Sequence, residues 1–270
     1  MSDSLVFTSG GGMPRLLEIM ARLRNPETGC PWDIAQSWDT IAPYTIEEAY
    51  EVADAIEREA WGELRGELGD LLLQVVYFAQ IGTEEGRFTF DQIVDTISDK
   101  MIARHPHVFG TENRDKSAEQ QVRDWETVKA AERADKGEAR VLDGVALGLP
   151  ALMRATKLQK RAARVGFDWQ EAAQVLDKIG EEAGELLEAA DAGDHDRIED
   201  EMGDMFFALV NYARHLDVDP EQALRRSNAK FTRRFNVVED GLRTSGRSPE
   251  EAGLAEMDRL WEAAKRREGG

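Results

Sequence analysis

Hydrophobic residues recur along almost the whole chain at the spacing of amphipathic helices, and the alternation typical of strands is nearly absent. Cap-and-proline pairs mark helix starts, for example at Asp219-Pro220 and Ser248-Pro249. The prolines are expected at helix boundaries rather than inside helices. The pattern predicts an all-α fold with helices near residues 13–24, 44–60, 64–82, 90–104, 117–135, 151–164, 170–191, 195–215, 220–241 and 248–267.

An internal repeat divides the chain into two similar halves. The segment 47–51 returns at 181–185, and 67–70 returns at 201–204, each 134 residues later. Upstream, a Gly-x-x-Trp tetrapeptide ends at Trp32 in one copy and at Trp169 in the other. We therefore predict a helical N-terminal unit, a charged and glycine-rich connector, and a helical C-terminal unit, at residues 1–112, 113–150 and 151–270 respectively.

Each copy carries a regular set of acidic residues. The pattern is Glu-Glu-x-x-Glu, fifteen residues, then Glu-x-x-Asp. If each copy folds as two antiparallel helices, the turns fall at Glu59 and Gly193, and the acids face one another across the hairpin. The pairs expected to face each other are Glu48 with Asp70, Glu51 with Glu67, Glu182 with Asp204, and Glu185 with Glu201.

Four facing carboxylates need protons, cationic side chains or a metal between them. A site with only oxygen donors suits a hard cation such as Mg²⁺, and Mn²⁺ can substitute for it. A solvated acidic helix face is the alternative, but apolar residues follow directly at 71–73 and 205–207. We therefore predict two metal sites, with Glu48, Glu51, Glu67 and Asp70 as ligands in one copy and Glu182, Glu185, Glu201 and Asp204 in the other.

Composition narrows the classes of partner. The 270 residues include 34 basic and 53 acidic ones, a net charge of −19, which disfavours nucleic acid and anionic membranes as partners. No signal peptide or membrane span is expected, since the most hydrophobic run, 71–81, is too short. Cys30 is the only cysteine, so a reducing cytoplasm is the expected compartment. A polyanion bound through a cation remains compatible with this charge.

Cationic residues near the acids are candidates to bind phosphate. Lys230 and Arg234 lie one helical turn apart after the second acid set, and Lys100 and Arg104 repeat this spacing after the first. The second copy also has cations four residues before Glu182 and Glu201, whereas the first copy does not. These extra cations are Lys178 and Arg197, which favour the second copy as the site for a triphosphate.

The acid motifs and their duplication resemble those of the MazG family of nucleoside triphosphate pyrophosphohydrolases, within the all-α NTP pyrophosphatase superfamily. The stretches 104–110 and 157–169 are similar to further family hallmarks. The resemblance implies Mg²⁺-dependent conversion of an NTP or dNTP and water to the monophosphate and pyrophosphate, with broad specificity. It implies metal binding by the second acid set, activity in that copy, and nucleotide contacts by Lys178, Arg197, Lys230, Arg234 and Trp261.

The mechanism that this resemblance implies is attack of water on the α-phosphorus. Glu182 is expected to act through the metal, and Lys230 to stabilise charge on the departing pyrophosphate, with Lys178 and Arg234. Glu181 is a candidate to orient or deprotonate the water, or a plain surface acid. A sensor or scaffold that binds nucleotide without turnover, and a narrow dNTP pyrophosphatase, are the alternatives. Nucleotide-pool cleaning and control of signalling nucleotides both stay open.

A single carboxylate-lined hairpin cannot easily bury its apolar faces. We therefore expect tandem units that resemble four-helix bundles and are completed by pairing of copies or subunits, as in a homodimer.

Overall fold

The computed structural model describes residues 4–7, 10–111, 114–115, 117–135 and 140–268, and every regular element within these ranges is helical. Part of the predicted connector, residues 136–139 among them, lies outside this description. The α-helices are α1 (Ser4–Phe7), α2 (Gly12–Leu23), α3 (Pro31–Ala35), α4 (Trp38–Glu57), α5 (Trp61–Glu84), α6 (Phe90–Arg104), α7 (Pro106–Phe109), α8 (Ala118–Asp135), α9 (Ala151–Arg164), α10 (Ala172–Ala192), α11 (His195–His215), α12 (Pro220–Thr244) and α13 (Leu254–Glu268).

Helix α4 corrects one sequence-based expectation. It begins at Trp38, six residues before the predicted start, so Pro43 lies inside the helix rather than at its boundary. The start is fixed by the Ser37 backbone N–H, which donates to Thr40 Oγ1 over 2.8 Å. The Trp38 ring stacks on Phe78 of α5 at 5.5 Å between centroids. These contacts hold the first turns in place and offset the backbone hydrogen bond that proline cannot make.

A second correction concerns the C-terminal helix, which was predicted as one element. A 3₁₀ turn at Pro249–Glu251 is followed by α13, so two short elements replace the predicted 248–267 helix. Ser248 caps the 3₁₀ turn as expected, and its backbone N–H donates to Glu251 Oε2 at 3.0 Å.

The chain divides into two compact units, residues 1–128 and 129–270. In the first unit, α4 and α5 form an antiparallel hairpin, with α2 and α6 packed on α5. The turn lies at Glu59, which adopts a left-handed φ of 55°. The buried core of this first unit consists of Met20, Ile41, Val76, Tyr77 and Ile81.

One buried arginine joins three segments of the first unit. Arg24, just after α2, donates through Nη2 to Glu84 Oε2 of α5 at 2.7 Å and through Nη1 to the Asp33 carbonyl of α3 at 2.6 Å. Its guanidinium also lies over the Tyr77 ring, 5.4 Å from the centroid. These bonds fix the segment that carries Trp32 against the hairpin.

The second unit repeats the hairpin with α10 and α11. The turn is at Gly193, whose φ of 70° suits the left-handed cap that glycine supplies. Helix α9 packs on α11 and α12, and α13 packs on α12. Gln159 of α9, 5% exposed, donates to the Phe207 carbonyl of α11 at 2.8 Å, which fixes α9 on the hairpin. The turns in both units confirm the predicted hairpin centres.

A helix that spans a lipid bilayer needs about 20 mostly apolar residues, and this requirement applies to each helix of the described ranges. None of them combines enough residues with enough apolar character to cross a membrane.

Candidate functional site

Each hairpin gathers acidic side chains from both of its helices. In the C-terminal unit, one carboxylate oxygen from each of Glu182, Glu201 and Asp204 lies within 4.8 Å of the other two. The spacing of three residues puts the two α11 acids on one face, one turn apart, and the Gly193 turn brings Glu182 opposite them.

The N-terminal hairpin gives the same arrangement. Carboxylate oxygens of Glu48, Glu67 and Asp70 lie within 4.8 Å of one another. An all-oxygen set at this separation fits a hard divalent cation, so the donor chemistry agrees with Mg²⁺ or Mn²⁺.

The predicted fourth acids lie beside these trios. In the N-terminal cluster, burial raises the pKa of Glu48, and the charges of Glu51 and Asp70 raise it further. Burial and the charges of Glu51 and Asp70 raise the pKa of Glu67 as well. Both carboxyls also hydrogen-bond to Glu51, so the fourth acid is in contact with the trio.

Glu185 has the corresponding place in the C-terminal cluster. Burial raises its pKa, and the charges of Glu201 and Glu182 raise it further, with Lys178 opposing them. Elevated carboxyl pKa values mark a place where added positive charge is stabilising.

The two clusters differ in their counter-charges. Lys178 Nζ lies 2.7 Å from Glu182 Oε1 and 2.9 Å from Glu181 Oε1. The hydrogen bond to Glu182, and to a smaller extent the one to Glu181, raises the pKa of Lys178 above its usual range, so the side chain stays protonated at neutral pH.

Arg197 supplies the second counter-charge. Its Nε lies 3.3 Å from Glu201 Oε1, and its Nη2 lies 3.7 Å from Glu188 Oε2 on the opposite helix. The Glu188 contact was not foreseen, because no motif marks this residue. The matching positions in the N-terminal hairpin are occupied by Tyr44 and Glu63, neither of which is cationic.

Two residues of the predicted nucleotide-contact set, Arg234 and Trp261, contact each other. Arg234 Nε lies 2.7 Å from Glu268 Oε2, and its guanidinium lies 5.9 Å from the Trp261 ring centroid. Phe231 packs on the same ring, 5.2 Å between centroids. In the ranges that the structure covers, no hydrogen bond or ion pair joins Lys230, Arg234 or Trp261 to the carboxylate cluster. In the other unit, Lys100 is exposed and Arg104 half-buried on α6.

Both tryptophans of the repeated tetrapeptide are partly exposed to solvent. Trp32 is 54% exposed and Trp169 39%. Trp32 meets Tyr44, which precedes Glu48 by four residues on α4, edge-on at 6.4 Å between ring centroids.

An unforeseen polar cluster follows the 157–169 stretch. Asp168 accepts a short hydrogen bond from Arg214 Nη2, and His215 Nε2 lies 3.3 Å from the same carboxylate oxygen. Burial alone raises the pKa of Asp168, but the Arg214 hydrogen bond and charge outweigh it and leave the pKa below its usual value. The cluster ties the segment before α10 to the end of α11.

The fold and the site together define a class: an all-α protein with two carboxylate-lined helix hairpins suited to a hard divalent cation. The sequence profile of the MazG nucleotide pyrophosphohydrolase domain matches the chain twice, over residues 36–109 and 170–238. The two matches begin 134 residues apart, the offset of the internal repeat. The chain therefore belongs to the MazG nucleotide pyrophosphohydrolase family, an enzyme family, and the resemblance noted in its motifs is confirmed.

Several relatives are similar over most of the chain. The nucleoside triphosphate pyrophosphohydrolase of Escherichia coli strain K12 is 52% identical over 256 residues, covering 94% of this chain and 97% of that protein. The nucleoside triphosphate pyrophosphohydrolase/pyrophosphatase MazG of Thermotoga maritima is 42% identical over 250 residues, 93% of this chain and 94% of that protein. The nucleoside triphosphate pyrophosphohydrolase of Mycobacterium tuberculosis strain H37Rv is 39% identical over 155 residues, 57% of this chain and 46% of that protein.

Proposed function

We propose that this chain hydrolyses nucleoside triphosphates, NTP or dNTP, to the monophosphate and pyrophosphate with Mg²⁺, and that the C-terminal cluster is the catalytic site. The observation that carries this proposal is the cluster itself. Three carboxylates have oxygens within 4.8 Å of one another, beside two cations, in a chain of the MazG family.

The metal ligands in this proposal are the predicted acids of the C-terminal hairpin: Glu182, Glu185, Glu201 and Asp204. Held by these carboxylates, Mg²⁺ would supply positive charge toward the phosphates and acidity for the attacking water. Mn²⁺ is expected to substitute, because it accepts the same oxygen donors. The acids of the N-terminal hairpin would hold a second cation.

The roles of the surrounding side chains follow from charge and position. Lys178 already lies against the cluster, so a short movement would bring its ammonium to a phosphate oxygen. Glu181 shares Lys178 with Glu182 and is exposed, which leaves it able to orient the attacking water. Lys230 and Arg234 would bind the departing pyrophosphate, and Trp261 would pack on the base.

We also propose that the active form is a homodimer. Exposed apolar residues lie on both helices of the C-terminal hairpin, among them Leu187 and Phe206. A second copy packed on this face would complete a four-helix arrangement and could supply Lys230 and Arg234 to the partner's carboxylates.

Light scattering after gel filtration tests the dimer. The expected mass is twice the 30.3 kDa of one chain. Leu187→Asp on the hairpin should yield monomers, while Leu254→Asp, at an exposed position on α13, should leave the dimer intact. A monomeric wild-type chain with full activity would refute the dimer without affecting the catalytic proposal.

The activity test uses Mg²⁺ and each of the eight common NTPs and dNTPs, with the products separated by chromatography. We expect monophosphate and pyrophosphate, in equal amounts, and a loss of at least about 100-fold for Glu182→Gln. Glu48→Gln, the matched change in the other hairpin, is expected to retain most of the turnover. Equal losses in both variants would mean that the two copies work together.

The same assay separates the alternatives. Orthophosphate release would mean that a different phosphoanhydride bond is hydrolysed, which would contradict the proposed reaction. No cleavage with Mg²⁺ or Mn²⁺ while nucleotide still binds would favour a sensor or scaffold without turnover. Cleavage of a single dNTP would favour a narrow-specificity enzyme. The cytoplasm remains the proposed compartment, because the lone Cys30 is free and half-buried and needs no oxidising environment.

A further inference from the structure

The two cations of the C-terminal hairpin bind the carboxylates that we propose as metal ligands. Lys178 lies 2.7 Å from Glu182, and Arg197 lies 3.3 Å from Glu201. Glu182 is only 4% exposed, so water can stabilise little of its charge. The lysine therefore supplies positive charge that a divalent cation would otherwise supply.

These contacts differ from ordinary surface ion pairs. Lys178 precedes Glu182 by four residues, which is the weaker order for a helical Lys–Glu pair, and its own side chain is 34% exposed. The pair persists because its acidic partner is buried in the hairpin beside two further carboxylates.

The N-terminal hairpin is an internal comparison with the same acids and different counter-charges. Its four acids carry a formal charge of −4, and the matching positions are Tyr44 and Glu63. In the C-terminal hairpin, Lys178 and Arg197 contact two of the four cluster acids and make that cluster less negative, although the same cations also contact Glu181 and Glu188. A free divalent cation is thus attracted more strongly to the N-terminal cluster.

We propose that Lys178 and Arg197 are internal counter-ions that couple metal and nucleotide binding in the C-terminal site. They disfavour binding of a free divalent cation, and they exchange their carboxylate partners for phosphate oxygens when the metal arrives with a polyphosphate. This inference rests on the proposed metal ligands but not on turnover.

The coupling is reciprocal, because metal and polyphosphate must strengthen each other's binding by the same factor. A unit positive charge about 5 Å from a divalent cation weakens its binding by about tenfold in a water-like dielectric. Removing the Lys178 charge should therefore strengthen binding of the free cation and weaken its dependence on nucleotide.

The experiment is a titration of the full chain with Mn²⁺, in which electron paramagnetic resonance measures the unbound ion. Without nucleotide, we expect one tight site per chain, lost in Glu48→Gln and kept in Glu182→Gln. With the α,β-methylene analogue of ATP present, a second site should appear that only Glu182→Gln removes.

Two charge variants test the counter-ion role directly. Lys178→Met should fill the C-terminal site without nucleotide at about tenfold lower Mn²⁺ than the wild type needs. Tyr44→Lys should place an ammonium four residues before Glu48 and weaken the N-terminal site by a similar factor. Lys157→Met, on the exposed face of α9, is the matched control and should change neither site.

Equal filling of both clusters by free Mn²⁺ in the wild type, or unchanged Mn²⁺ binding in Lys178→Met, would overturn the counter-ion role. Pyrophosphate release by the same wild-type sample would show that the proposed function survives that result. Failure of Mn²⁺ to bind either cluster, with or without the analogue, would refute the metal ligands and the inference together.

Discussion

The buried Arg24 offers the sharpest test of what stabilises the N-terminal unit. Its side chain is 7% exposed, and it pairs with Glu84, which is 34% exposed. In Arg24→Met, Glu84 loses its cationic partner and keeps the hydrogen bond from Gln80, and the carbonyls of Asp33 and Gln36 lose a donor. Methionine keeps most of the apolar contact with Tyr77, so the change isolates the polar interactions.

The expected cost is about 3 kcal/mol. Breaking one partner of a buried ion pair costs about 3–5 kcal/mol, and partial hydration of Glu84 places this case at the lower end. For a unit of roughly 100 residues, this corresponds to a fall in Tm on the order of 15 °C. The loss is large beside a typical domain stability of about 5–15 kcal/mol.

Calorimetry of the full chain gives the transition of the N-terminal unit, and hydrogen exchange shows whether α3 and α5 open first. Arg58→Met is the control, because Arg58 pairs with Asp54 and Glu63 on the open surface and should leave the midpoint nearly unchanged. A cost below about 1 kcal/mol for Arg24→Met would refute the assignment of Arg24 as the residue that joins these segments.

Three further predictions concern the turns, the acid cluster and pH. Gly193→Ala should lower stability by about 1 kcal/mol, because alanine is strained at a φ of 70°, whereas the helical Gly184→Ala should be neutral or stabilising in the same thermal melt. In EDTA, Glu48→Gln should raise the Tm. The pKa of Glu48 is raised in the folded protein, so its negative charge opposes folding at pH values above the unfolded pKa. Addition of Mg²⁺ should raise the Tm of this variant less than that of the wild type. The pKa of Asp168 is lower in the folded protein than in the unfolded chain, so its ionised carboxylate stabilises the fold at pH values above the unfolded pKa. This stabilisation is lost as the pH falls through the folded pKa. Asp168→Asn should therefore flatten the loss of stability below about pH 4, and an unchanged acid-unfolding curve would contradict the role of Arg214.

Much of the candidate site could be predicted from spacing alone. The repeat offset of 134 residues, the hairpins, and their turns at Glu59 and Gly193 follow from local patterns, and the structure agrees. The reason is that helix periodicity fixes which acids share a face, and the symmetry of the spacing fixes where the chain must reverse.

Packing between segments that are distant in the chain determined features of the site and of α4 that the sequence pattern did not predict. It brought carboxylate oxygens of Glu48, Glu67 and Asp70 within 4.8 Å of one another, because the phase and crossing of two helices depend on the apolar residues between them. It also allowed Pro43 inside α4, because Trp38 at the start of α4 stacks on Phe78 of α5 and holds the first turns in place.

The sequence by itself determined the fold class, the family and the two acid sets, because these depend on short-range periodicity and on a pattern repeated within one chain. Only the tertiary structure decided that Lys178 and Arg197 contact the carboxylates themselves, and that Arg234 instead pairs with Glu268. A long cationic side chain can reach several acids from one backbone position. Which acid it meets depends on burial and on neighbouring helices, and neither is encoded in the spacing of the motif.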